Sequence, residues 1–97
     1  MIKHIVIFKW REEVSEVQVA AVLDELHALP AAIDALEDYL AAPDLGLTEG
    51  TSDMAIVATV ASPEALRRYL DHPQHVAVVT KLRSLAASRT AVQVSSD

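Results

Sequence analysis

The chain contains no cysteine. Disulfide bonds and thiolate chemistry are thereby excluded, and the composition fits a reducing, cytoplasmic setting. Glycine is nearly as scarce, with two residues in 97, too few for a phosphate-cradling loop or a dinucleotide fingerprint. No serine stands in the sharp turn that exposes a hydrolase nucleophile. Positive charge is also short: eight Lys and Arg against fourteen Asp and Glu give a net −6. That balance argues against nucleic acid or an anionic membrane surface as a partner. No apolar run approaches the length that spans a bilayer. The apolar start, Ile2–Trp10, is interrupted by Lys3, His4 and Lys9 and then meets Arg11-Glu12-Glu13, a pattern unlike a signal peptide.

What remains is a small acidic chain, 52% hydrophobic and 23% charged, the composition of a globular protein. Its length suits one domain over residues 1–97. Acids such as Glu37 and Asp38 read as a solvated face. Against this aliphatic background one heptad stands out, Tyr69-Leu70-Asp71-His72-Pro73-Gln74-His75. Proline disfavours helical geometry at the residue before it, so a helix arriving through Tyr69 should break at His72. A new helix can begin with Pro73, whose missing N–H costs little there. His75 then falls in the first turn, where free backbone N–H groups and the helix dipole disfavour an imidazolium. A neutral histidine can act as a base, and Tyr69 can present a hydroxyl to the same cavity.

Ile2–Trp10 is rich in β-branched and aromatic residues and reads as a strand, apolar in the middle on both parities. Ser15-Glu16-Val17-Gln18 has the form of a capping box, and Val19, Val22, Leu23 and Leu26 recur at helical spacing until Pro30 stops the helix. His27 lies beside this apolar face and is assigned no role. Ala31–Ala35 reads as a short helical turn and Leu36–Ala42 as an extended run, with a loop over Leu47–Asp53. Met54–Val60 is a second strand, again apolar on both parities. Ser62-Pro63-Glu64 combines an N-cap serine, a first-position proline and a first-turn acid, a strong helix start. The last helix runs from Pro73 to about Ser88, with Val76, Val79 and Arg83 on one side and Val78, Leu82 and Leu85 on another. Thr90–Val94 closes as a strand, and Ser95-Ser96-Asp97 is expected to fray.

The order β-α-β-β-α-α-β suits an α+β, ferredoxin-like subunit: a four-stranded antiparallel sheet with helices on one face. A single chain would leave the other sheet face bare. Strands apolar on both sides are normally covered on both sides, and burial stabilises by roughly 25 cal/mol per Å². The expected solution is a homodimer packed sheet to sheet through Ile5, Ile7, Ala55, Val57 and Thr59.

The opposite parity faces the helices. A cavity is expected there, lined by His4, Val6, Phe8, Leu23, Leu26, Met54, Ile56, Tyr69, Leu70, His75 and Val78, since these share the facing sides of their elements. Each polar member also has a plainer reading: His4 as a hydrogen-bonded core residue, Tyr69 as an amphipathic core residue. His72 is expected to cap the last helix. His72-x-x-His75 with His4 offers three nitrogens, but His72 before proline should not share a helical face with His75, and no carboxylate motif accompanies them. No metal and no cofactor are expected.

Ile2-Lys3-His4-Ile5-Val6-Ile7-Phe8-Lys9, the late strand followed by Ser62, and Tyr69-x-x-His72-Pro73-x-His75 together resemble the stress-responsive A/B barrel (Dabb) domain over nearly the whole chain. The resemblance implies a ferredoxin-like subunit that forms a homodimeric α+β barrel. Many members of that family have no known activity; some are plant stress proteins, and some relatives are polyketide cyclases, including the one that forms olivetolic acid. In such cyclases the histidine matching His75 is the base, the tyrosine matching Tyr69 binds and polarises substrate, and a histidine matching His4 shares the pocket. Two departures stand out. Ala42-Pro43 lies where the family often has glycine, and Val79 replaces a small residue that makes room for a long substrate chain.

Two functions follow. In the first, the chain is a cofactor-independent acid/base catalyst on a small, mostly apolar carbonyl compound, for aldol-type cyclisation or isomerisation. His75 removes a proton α to the carbonyl while Tyr69 or His4 donates to the enolate oxygen. In the second, it is a non-catalytic dimeric ligand-binding or stress protein with structural histidines. A monooxygenase of the antibiotic-biosynthesis type, on the same dimeric fold, is a third reading. An open cavity lined by His4, Tyr69 and His75 favours the first; a side-chain-filled one favours the second.

Overall fold

β-Branched side chains hold β1, Ile2–Trp10, extended at the centre of the structure. The computed structural model describes residues 1–96. Helix α1, Glu16–His27, begins at the expected capping box: Gln18 N donates to Ser15 Oγ (3.2 Å) and Ser15 N donates to Gln18 Oε1 (2.9 Å). Pro30 stands in the first turn of a one-turn helix α2, Leu29–Ala32. That turn lies earlier than Ala31–Ala35, because buried Leu29 anchors its start and proline fits there without losing a hydrogen bond. β2 is Leu36–Pro43 and β3 is Met54–Val60.

Ser62 caps α3, Pro63–Asp71, accepting from Ala65 N at 3.1 Å. α4, Pro73–Leu85, ends three residues before Ser88, and β4 spans Ala86–Ser95 instead of Thr90–Val94. Alanines 86 and 87 favour helix, but Ala86 pairs with Trp10 and Arg11 N donates to Leu85 O (2.9 Å). Sheet pairing overrides local propensity here. Ser95 ends β4 and Ser96 N donates to Met1 O (2.9 Å), so neither frays; Asp97 lies outside the described residues.

The sheet order is β2-β3-β1-β4, every pair antiparallel, which is the ferredoxin-like topology. Opposed residues in a ladder share a face, so His4, Val6 and Phe8 lie with Ala58, Ile56 and Met54 on one side. All six are buried, and α1, α3 and α4 add Val22, Leu26, Ala65, Tyr69, Val78 and Leu82 to the same core. The other side stays open: Ile7 is 42% exposed, Leu40 57% and Val92 53%. Ile5, Ala55 and Val57 there are half-buried, and Thr59 is buried beneath Lys3, whose Nζ donates to its Oγ1 at 3.0 Å. Among the described residues no helix is long and apolar enough to cross a membrane.

Candidate functional site

The break between α3 and α4 sets the site. His72 is extended (φ −62°, ψ 134°), as a residue before proline should be. Its N–H donates to Tyr69 O (3.3 Å) and its Nδ1 accepts from Gln74 N (3.2 Å), so it closes one helix and caps the next. Pro73 follows at the first position of α4, and His75 falls in the first turn.

The His75 ring turns back across the break, and Nδ1–H donates to Leu70 O at 3.0 Å. With the proton on Nδ1, the neutral ring keeps its lone pair on Nε2. Burial lowers the pKa of His75, against the Leu70 hydrogen bond, which raises it; Arg89 and His72 lower it further. A neutral imidazole was expected from the helix dipole; loss of water is the first cause that lowers it.

Tyr69 lies on the last turn of α3, 1% exposed, its ring centroid 4.4 Å from that of His75 with the planes tilted by 50°. Burial pushes its phenol up to about 12, so it remains a neutral donor. On β1, the His4 ring meets Tyr69 edge-on, 6.4 Å between centroids. Gln93 Nε2 donates to His4 Nδ1 at 3.1 Å, which leaves the proton of the neutral ring on Nε2. Burial first, then Arg89 and His75, hold His4 below its ordinary pKa. The two imidazoles are thus complementary: His75 offers a lone pair and His4 offers an N–H.

Both border one cavity of about 250 Å³ between sheet and helices. Eight of the expected residues line it: His4, Val6, Phe8, Leu26, Ile56, Tyr69, Leu70 and His75. Leu23, Met54 and Val78 do not. Val78 and Met54 are packed in the core and Leu23 rests half-buried against it. The rotation of α4 explains Val78: its buried stripe is Val78 and Leu82, and the cavity is walled instead by Val76, Val79, Thr80 and Arg83. That spacing, i, i+3, i+4, i+7, is visible in the sequence as the second apolar side of the helix. Leu82 touches both core and cavity, and Arg89 enters from β4, in register with Phe8.

His27 lies elsewhere: its Nε2 bonds Ala41 O at 2.8 Å and ties α1 to β2. Among the described residues no three ligating side chains converge as a metal site would need.

Residues 2–96 match the stress responsive A/B barrel domain. The chain belongs to this family. An uncharacterized protein of Streptomyces coelicolor is 35% identical over 88 residues, 89% of this chain and 91% of that one. A dimeric ferredoxin-like protein of unknown function from Thermobifida fusca superposes on this chain with a TM-score of 0.93 at 40% identity, over 98% of this chain and 90% of that one. A hydroxynitrile lyase from Passiflora edulis superposes with a TM-score of 0.84 over 96% and 90% of the chains, but at 13% identity it shares the fold alone.

Proposed function

We propose that this A/B barrel protein is a cofactor-independent acid/base catalyst acting on a small, mostly apolar carbonyl compound. One observation carries the reading: the Nδ1–H of His75 is held by Leu70 O, leaving Nε2 as the basic atom of a ring pressed against Tyr69 in an apolar cavity. In the proposed step Nε2 takes a proton α to the carbonyl. The C–H electron pair becomes the enolate double bond, and the carbonyl pair moves onto oxygen. Tyr69 Oη–H or His4 Nε2–H donates to that oxygen. Reprotonation at another carbon gives isomerisation; attack of the enolate on a second carbonyl gives an aldol cyclisation. Val79 on the cavity wall favours compact substrates over long chains.

The working form is a cytoplasmic homodimer, a dimeric α+β barrel, joined through the exposed sheet face of Ile5, Ile7, Ala55 and Val57. Bare apolar side chains on that face and the dimeric Thermobifida fusca relative support this assembly.

A screen of β-keto compounds with the wild type and with His75→Ala tests the chemistry. Loss of a general base lowers turnover by ~10²–10⁴-fold, so the expected result is turnover in the first and none in the second. A folded wild type that turns over no carbonyl compound would leave the cavity as the binding site of a non-catalytic dimer.

A further inference from the structure

β4 is patterned against the usual sense of a one-layer sheet. Its apolar Val92 and Val94 are exposed on the outer face, while Arg89 and Gln93, in register with Phe8 and His4, stand on the helix-covered side. Gln93 is engaged by His4. Arg89 has no hydrogen-bonding or ion-pair partner for its side chain among the described residues, and neither has Arg83 across the cavity on α4. Among the described residues the ion-paired acids are Asp71 and Glu25, taken by Arg67 and Lys81. Two solvent-exposed guanidiniums without a partner among the described residues therefore border an apolar cavity in a chain of net charge −6. Such a chain repels anions at a distance, so a local cationic pair is needed to hold one.

We propose that the cavity binds a small keto acid, its carboxylate held at the mouth by Arg83 and Arg89 and its carbonyl turned toward Tyr69 and the two imidazoles. This rests on reading the cavity as the ligand site. Arginine suits such a role, because its planar fork matches a carboxylate with paired, charge-assisted bonds. Its stem can lie along the apolar wall while the head stays near water. The apolar cavity walls take the body of the acid. The arrangement also couples binding to the base. Burial is the main reason both imidazoles titrate low, and the positive charge of Arg89 adds to it. A bound carboxylate offsets that charge and makes both rings more basic when the substrate arrives; Tyr69 stays neutral, and His72 and the other imidazole act as before.

β-Benzoylpropionate and its amide serve as probes, since they differ in charge and hardly in shape. Titration followed by NMR should show the acid binding at least about tenfold tighter than the amide, the scale of one charge-assisted contact. That preference should weaken with salt and vanish in the Arg83→Gln/Arg89→Gln variant. The acid, and not the amide, should raise the titration midpoints of His4 and His75. Equal binding of the two probes, binding of neither, or a preference that survives the double variant overturns the proposal. So does displacement of the acid by an equal concentration of inorganic phosphate, which would assign the arginines to a phosphoryl head. Exchange of the α-protons in heavy water is read separately. Preferential binding without exchange leaves the keto-acid site standing and removes the catalytic role; exchange of both probes without preference does the reverse.

Discussion

Tyr69 and His75 belong to different helices, yet their rings lie 4.4 Å apart because the chain breaks between them at His72–Pro73. A continuous helix would place residues six apart on different faces. The break brings them together and frees Leu70 O to orient the imidazole. His75→Ala is therefore expected to lose turnover while the domain stays folded, since the ring is only half-buried. Tyr69 is different: it lines the cavity and is also packed in the core. Tyr69→Phe keeps the packing and should slow turnover less than His75→Ala, whereas Tyr69→Ala should cost about 3–5 kcal/mol of stability. Chemical denaturation of the three variants beside their rates checks the ordering; an unfolded His75→Ala protein would mark that histidine as structural.

The two imidazoles also set a dependence on pH. Burial is the first cause that lowers both His4 and His75 from the ordinary value of 6.5. The unfolded chain then binds protons more readily than the folded one, so stability is complete above about pH 6.5 and falls as the pH drops further. The melting temperature should be flat above that point and decline below it. His75→Gln should make the decline shallower. Because the base acts when neutral, the acid limb of kcat/KM should have its midpoint below 6.5. A melting temperature that rises on acidification would contradict both statements.

Local signals were the legible ones. The hydroxyls of Ser15 and Ser62 and the ring of His72 cap the helices they precede, because a cap is decided within four residues. The alternation of β1 grouped His4, Val6 and Phe8 on one face, and the register with β3 puts that face under the helices. Two things were not legible. α4 is apolar on both flanks, so whether Val78 or Val79 faces the cavity depends on how the helix is rotated against the sheet, a tertiary property. The start of β4 is fixed by pairing with Trp10, which lies far away in sequence. With β4 begun too late, Arg89 fell outside the strand and its place beside Phe8 was hidden.

Chelation should leave the melting temperature unchanged, and elemental analysis should find no stoichiometric zinc. His72 Nδ1 is occupied by Gln74 N and His75 Nδ1 by Leu70 O, so a metal on either nitrogen would have to break a cap or release the ring. A structural zinc contributes heavily to folding, and its removal is readily seen. A stoichiometric metal, with a fall in melting temperature on chelation, would overturn the prediction.

Tyr39→Phe should be neutral or stabilising. The Tyr39 ring packs against Tyr69, 6.4 Å between centroids, and its buried hydroxyl approaches that of Tyr69 without reaching good hydrogen-bond geometry. An unsatisfied buried hydroxyl costs about 1–3 kcal/mol, and phenylalanine keeps the ring contact. A loss of more than about 1 kcal/mol in denaturant unfolding would show that the hydroxyl has a partner.

Ile7→Glu should convert a dimer to a monomer. Ile7 lies on the outer face of a central strand, with Ile5 and Val57 beside it and exposed Leu40 and Val92 on the flanking strands. These side chains form an apolar surface that the helices cannot reach, since all of them pack on the other side of the sheet. Stable interfaces bury roughly 800 Å² per partner, a scale that one face of a four-stranded sheet can supply. A carboxylate at position 7 would then be buried without a counter-charge, a cost too large for such an interface to absorb. Val17→Glu is the control: Val17 is 78% exposed on α1, away from the sheet, and the change should leave assembly intact. Sedimentation of the three proteins at micromolar concentration decides the matter. If the wild type is a monomer, or Ile7→Glu still sediments as a dimer, the sheet face is not the interface.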